Sequence, residues 1–160
     1  MKKIFASTVT ALLLLILLAN TSFAAPAVEK QLLLKGSLEA TETQGGLPPL
    51  IQVNLTGQGN ATQLGLFTYQ LQAVLDVRVL HADQASATLV AANGDRIFGE
   101  GEGQGTPSST PGVVSVVESF NITGGTGRFE GASGTFVVQR LVHRPTLTSV
   151  GTIEGTILLP

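Results

Sequence analysis

Apolar and polar residues alternate with period two along nearly all of the chain beyond residue 24, a pattern that fits β-strands and little else. Between Gln31 and Glu42 the even positions Leu32, Leu34, Leu38 and Ala40 are apolar and the odd ones mostly polar, as a half-buried strand requires. After Pro48 and Pro49, Ile51, Val53 and Leu55 alternate with Gln52, Asn54 and Thr56, and Gly57 to Asn60 is expected to break or bulge the run. From Tyr69 to Leu80, the odd positions Leu71, Ala73, Leu75, Val77 and Val79 face one way and Gln70, Gln72, Asp76 and Arg78 the other. Ala87 to Ala92 reads as a short strand, turned by Asn93-Gly94-Asp95 into Arg96 to Glu102. A loop rich in Gly, Ser, Thr and Pro spans Gly103 to Gly112, and Val113 to Ile122, Thr135 to His143 and Val150 to Leu159 complete the set. No helical spacing is sustained anywhere in this part of the chain, so the reading is all-β, with seven or eight strands. Consecutive hairpins favour an antiparallel, eight-stranded meander closed into a small barrel, with a two-sheet sandwich as the alternative. Closure is preferred because long strands would otherwise expose edges that few Lys or Pro residues guard.

The first residues follow a different rule. Lys2 and Lys3 precede an apolar run from Ile4 to Leu18, and Ser22-Phe23-Ala24 forms a small-x-small site before Ala25. This is the pattern of a cleaved signal peptide over residues 1–24. A membrane span needs about 20 apolar residues, and the run ends short of that before Asn20. The expected mature chain, residues 25–160, forms one domain with room for a core. It is expected in the periplasm or outside the cell, without a stable membrane anchor. The chain has no cysteine, which rules out a disulfide framework and thiolate chemistry. Without Lys2 and Lys3, 7 basic residues face 11 acidic ones, a net charge of −4 with neutral histidines. That balance, with no basic cluster and no tryptophan, disfavours nucleic acid as a partner.

The most specific string is Ile122-Thr123-Gly124-Gly125-Thr126-Gly127-Arg128-Phe129-Glu130-Gly131-Ala132-Ser133-Gly134. Gly124, Gly125, Gly127 and Gly134 permit a tight turn, with Phe129 as its side-chain anchor. A phosphate cradle is disfavoured, because such a loop needs a helix after it and the Lys-Ser/Thr pair of a P-loop, and a strand follows here. The string resembles a turn of the dirigent proteins and of the allene oxide cyclase barrel group, especially of their secreted bacterial members. Gly57-x-Gly59-Asn60-Ala61-Thr62-x-Leu64-Gly65-x-Phe67-Thr68 and Gly151-Thr152-Ile153-Glu154-Gly155-Thr156-Ile157 resemble two further segments of those bacterial members. The resemblance implies an eight-stranded barrel with a central apolar cavity, no metal or organic cofactor, and assembly into homo-dimers or homo-trimers. It implies no single activity: dirigent proteins steer phenoxy-radical coupling, and allene oxide cyclases close an epoxide into a ring.

Candidate chemistry comes from polar residues on apolar faces. Glu118 shares the parity of Val114, Val116, Phe120 and Ile122, and Arg140 that of Phe136, Val138 and Val142. A hairpin around the glycine-rich turn would bring Glu118 and Arg140 together, either as an inert ion pair or as groups that stabilise developing charge. Tyr69, the only tyrosine, begins an apolar face and is expected at the barrel rim. Tyr69, Glu118, Phe120, Phe136 and Arg140 are therefore the ligand-binding candidates, with Glu118 and Arg140 as the catalytic ones. His81 and His143 show no metal-ligand spacing, and Glu100 with Glu102 offers too few oxygens for calcium. Asp76, Arg78 and Asp83 read as solvated. Asn54, Asn60 and Asn121 satisfy a glycosylation rule that is idle in a bacterium.

Two functions follow. The favoured one is a noncatalytic binding or structural barrel that takes a small apolar ligand, or that associates with itself through apolar outer positions of the Thr135 to His143 strand. The other is a cofactor-free isomerase, cyclase or dirigent-like protein whose pocket constrains a reactive intermediate.

Overall fold

Strand alternation with no helical segment leaves the chain one way to satisfy its backbone without an open edge, and the computed structural model, which describes residues 29–160, takes it. Eight strands run in order: β1 (Lys30–Leu47), β2 (Leu50–Ala61), β3 (Gly65–Asp76), β4 (His81–Val90), β5 (Arg96–Pro107), β6 (Val113–Gly125), β7 (Ser133–His143) and β8 (Thr148–Leu159). Each pairs antiparallel with the next, and β8 returns to β1 to close the barrel. The 18 residues of β1 make the closure possible. Its first part, Lys30 to Thr41, pairs with β8, while Gly36 to Leu47 pairs with β2, so the strand is staggered between its neighbours. The barrel thus replaces the sandwich alternative. The expected signal peptide lies outside the described residues.

Several boundaries differ from those the alternation suggests. The apolar parity of β3 continues through Val77 and Val79, yet the strand stops at Asp76 and Leu80 takes φ 54° in the turn. β4 then begins at His81, ahead of the expected Ala87. An extra residue between Ala82 and Ala85 displaces its register against both β3 and β5. Inward positions therefore change from even to odd, and the bulge hides the strand from a period-two reading. β2 runs unbroken through Gly57 and Gly59, where neighbouring strands come too close for a side chain. β5 extends to Pro107, so the first half of the expected loop from Gly103 to Gly112 is strand paired with β6. Closure supplies partners on both sides and overrides the weak strand propensity of its glycines.

The two ends of the barrel are built differently. At one end lie the β2–β3, β4–β5 and β6–β7 connections and both ends of the described chain. Gly127, at φ 60°, turns the β6–β7 connection into a short 3-10 segment that drops Phe129 into full burial. Phe129 joins Leu64, Leu89, Ile97 and Ile157 in one apolar cluster. Arg128 lies 4.8 Å above the Phe129 ring, donates to the Gln63 carbonyl and sits near Asp95, linking three connections. The waist holds Phe120 and Phe136, paired across β6 and β7 and stacked with centroids 4.8 Å apart. Gly99 makes room for these rings: a Cβ there would lie 2.9 Å from Phe136. The opposite end carries the β1–β2, β3–β4, β5–β6 and β7–β8 connections and stays open.

Candidate functional site

The inner faces of β6 and β7 converge on a buried charge cluster. Register places Val116 opposite Arg140 and Glu118 opposite Val138, so Glu118 and Arg140 are diagonal neighbours on the interior face. The Arg140 guanidinium grips Glu118 with two bonds, Nε to Oε2 at 3.1 Å and Nη2 to Oε1 at 2.6 Å. Its Nη1 donates to Glu42 Oε1 at 2.7 Å and to Ser149 Oγ at 3.2 Å. The Tyr69 hydroxyl donates to Glu118 Oε2 at 3.3 Å. Arg140 and Glu118 are each 4% exposed, Glu42 7% and Tyr69 0%. Four elements thus meet here through β1, β3, β6 and β7, with Ser149 of β8 behind them.

Buried charge persists only when it is paired, and this cluster shows how. Burial alone would drive Arg140 toward its neutral form, but Glu118 and then Glu42 outweigh burial and raise its pKa further above the ordinary value. The Tyr69 phenol is pushed well above its usual range, first by burial and then by the neighbouring Glu118 charge, which Arg140 partly offsets. Glu118 accepts three bonds and Arg140 gives four, so both are committed to the protein itself. Glu42 is less committed, because its second oxygen has only Gln44 Nε2, at 3.4 Å.

Above the cluster, toward the open end, lies a cavity of about 80 Å³. Glu42, Glu118 and Arg140 form its polar floor, and Leu71, Leu75, Val114, Val116 and Val142 contribute apolar wall. Gly103 and Gly105 line it from β5, where the absence of side chains keeps the space free. Leu80 and Leu147 close over it from the β3–β4 and β7–β8 connections. Both sit at φ 54°, a left-handed conformation that is costly for a leucine. The Gly105 amide donates to the Leu80 carbonyl at 2.7 Å, and the Glu42 amide to the Leu147 carbonyl at 2.8 Å. These bonds fasten the two strained leucines to the pocket wall. Larger depressions mark the outer wall, one of them past Asn54, Gln72, Glu100 and Ser119, but they are open to solvent and away from the cluster.

The structure thus joins Tyr69, Glu118 and Arg140, and separates the two phenylalanines from them. Phe120 and Phe136 stack in the packed waist and do not line the cavity. Tyr69 is not at the rim: it lies beneath Glu118, because barrel stagger sets its height in a way that its position on the strand does not reveal. Glu42 and Ser149 were not among the sequence candidates. Glu42 shares even parity with Leu34, Leu38 and Ala40, a signal that was present, whereas Ser149 becomes visible only once β8 pairs with β1. The cavity lies toward one end rather than at the centre, and its floor is charged. His81 Nε2 meets the exposed Asp83 at 2.8 Å, and His143 Nδ1 meets Thr146 Oγ1 at 2.9 Å, each on its own part of the surface. Arg78 holds Asp76 down to about 2, through its hydrogen bonds, in a solvent-exposed pair. Glu100 and Glu102 point outward and are exposed. Among the described residues no group of three or more His, Cys, Asp or Glu side chains converges in the manner of a metal site.

No protein-family model matches the sequence, and neither does any curated protein. Solved structures do. The barrel superposes on the pterocarpan synthase dirigent protein GePTS1 with a TM-score of 0.59 and 14% identity, over 88% of this chain and 98% of the other. The chain has the dirigent fold. At this identity the likeness is one of fold alone, so the role of the charge cluster rests on its own geometry. Within this barrel the glycine-rich turn forms the plug of the closed end, and Tyr69, Glu118 and Arg140 stand between that plug and the cavity.

Proposed function

We propose that this protein is an exported small-molecule-binding barrel that takes the end of a small apolar ligand into its open-end cavity without covalent chemistry of its own. The observation that carries this reading is the cavity itself, an apolar-walled space over a charged floor whose arginine donors are already tied to Glu118, Glu42 and Ser149. Export is supported by the Lys2-Lys3 start, the apolar run and the Ser22-Phe23-Ala24 site. A floor so fully hydrogen-bonded favours holding a ligand over moving its protons, since Glu118 would have to give up Arg140 or Tyr69 to act as a base.

The test is native mass spectrometry of residues 25–160 after exposure to an extract of the protein's native environment. A small molecule retained by the wild type and lost in a folded Gly103→Leu variant, where a side chain fills the cavity, is the expected result. Equal retention by both proteins, or by neither, overturns the reading.

A second reading is a dirigent-like or cyclase-like role, in which the pocket constrains a reactive intermediate and Arg140 with Glu118 stabilises developing charge. It is supported by the fold shared with a pterocarpan synthase dirigent protein and by the buried charged floor. Conversion of the retained compound, lost in Arg140→Lys while binding persists, would favour it over the first.

A further inference from the structure

We infer that the cavity selects ligands by a hydrogen-bond-donating, preferably cationic head group, so that small alkylammonium compounds are its ligand class and carboxylates are rejected. This inference rests on the binding reading above and specifies what that site recognises.

The argument is an inventory of donors and acceptors. A guanidinium has five N–H donors, and Arg140 directs four of them at Glu118, Glu42 and Ser149. An anionic ligand would therefore find the cation on the floor already surrounded by acceptors. Each ionised carboxylate offers about four acceptor positions. Glu118 fills three, with two bonds from Arg140 and one from Tyr69. Glu42 fills one well, at 2.7 Å from Arg140, and its remaining oxygen has only Gln44 at 3.4 Å, outside the range of a strong bond. Glu42 is 7% exposed and lines the cavity, so it presents unfilled acceptor capacity to that space.

Charge points the same way. Two carboxylates stand against one guanidinium in the cluster, so a cation entering the cavity balances the set and an anion worsens it. The other basic side chain lining the cavity is Arg144, from the β7–β8 connection. It is exposed and makes no ion pair with Glu42, so water and salt screen its charge from the floor. The walls add the second requirement. Leucine and valine side chains surround the space above Glu42, so the head group must carry a short apolar tail. At about 80 Å³ the cavity is well below the several hundred Å³ of a drug-sized site, which restricts the part held inside to a head group and a few carbons.

The test uses three four-carbon probes, n-butylamine, butan-1-ol and butyrate, titrated into isotopically labelled protein near neutral pH while the Gly103 and Gly105 amides are followed by NMR. The expected order is butylammonium tightest, butanol next and butyrate weakest, with about tenfold or more between first and last. In Glu42→Gln that ratio is expected to fall to about threefold or less, since the variant keeps the shape and removes the charge. Butanol or butyrate binding at these amides as tightly as butylammonium overturns the inference while leaving the binding barrel intact. No shift at either glycine with any probe overturns the binding reading as well. If Glu42→Gln does not fold, the order measured on the wild type decides alone.

Discussion

The two ends of the barrel are made from the same eight strands and differ in what their inward positions hold. At the closed end Leu89 of β4, Ile97 of β5 and Ile157 of β8 meet Phe129 from the β6–β7 connection, and all four are fully buried. At the open end the corresponding stretch of β5 offers Gly103 and Gly105, while β1, β6 and β7 offer Glu42, Glu118 and Arg140. One strand, β5, thus carries both programmes along its length, from isoleucine to glycine. Packing at one end supplies the cohesion that lets the other end remain partly empty and charged. A barrel without edges makes this separation possible, because each end can depart from close packing without exposing unpaired backbone.

Substitutions can break or sharpen this contrast. The largest effect is expected at the plug, where Phe129→Ala should cost about 3–5 kcal/mol in denaturant unfolding. A loss no larger than that of a mouth substitution would show that the ends do not differ in cohesion. Next comes Arg140→Met, which leaves Glu42 and Glu118 buried without their cation. It should cost about 3 kcal/mol, near the lower limit for a broken buried pair because water reaches the floor through the mouth. Replacing Glu42, Glu118 and Arg140 together by apolar residues of similar volume should recover most of that loss, and failure to recover it would mean that the cluster itself holds the barrel together.

A pair of alanine substitutions on β5 locates the boundary between the two regimes. Gly101→Ala would push a Cβ into the Ser119 carbonyl, and should cost about 2 kcal/mol. Gly103→Ala would place its Cβ 3.4 Å from Glu118 Cγ, an ordinary contact. Its thermal midpoint should correspond to a change within about 0.5 kcal/mol. Tyr69→Phe should cost about 1 kcal/mol near neutral pH. Because the folded-state phenol is raised above its unfolded value of about 10, the wild type keeps this contribution below pH about 10 and loses it as pH rises toward the folded value. Stability of wild type and variant measured up an alkaline series should therefore converge above pH 10; parallel curves would contradict the burial of the hydroxyl.

What could be read from the sequence followed from local parity. The alternation on β6 and β7, with a tight turn between them, is enough to bring Glu118 and Arg140 to one face and near each other. Their interior location follows from the apolar residues beside them. Parity failed where the backbone departs from two residues per repeat. The bulge at Asp83 and Gln84 masked β4, and the apolar Val77 and Val79 made a turn look like strand. It failed again where layers matter more than faces. Tyr69 comes within reach of Glu118, and Ser149 within reach of Arg140, only because the strands are tilted and staggered by closure, a property of the whole sheet. Glu42 was legible as an inward residue, yet its importance depends on β7, six strands later in the chain, which closure through β8 brings close enough to deliver Arg140 to it.

The buried tyrosine has an experimental consequence. The protein contains one tyrosine and no tryptophan, so its near-ultraviolet emission arises from a single ring whose hydroxyl rests on Glu118 at the base of the cavity. Excited phenols readily pass their proton to a bonded carboxylate, and any event that draws Glu118 away from Tyr69 alters the light this ring emits. The protein carries its own optical reporter at the floor of the site, readable without label or mutation.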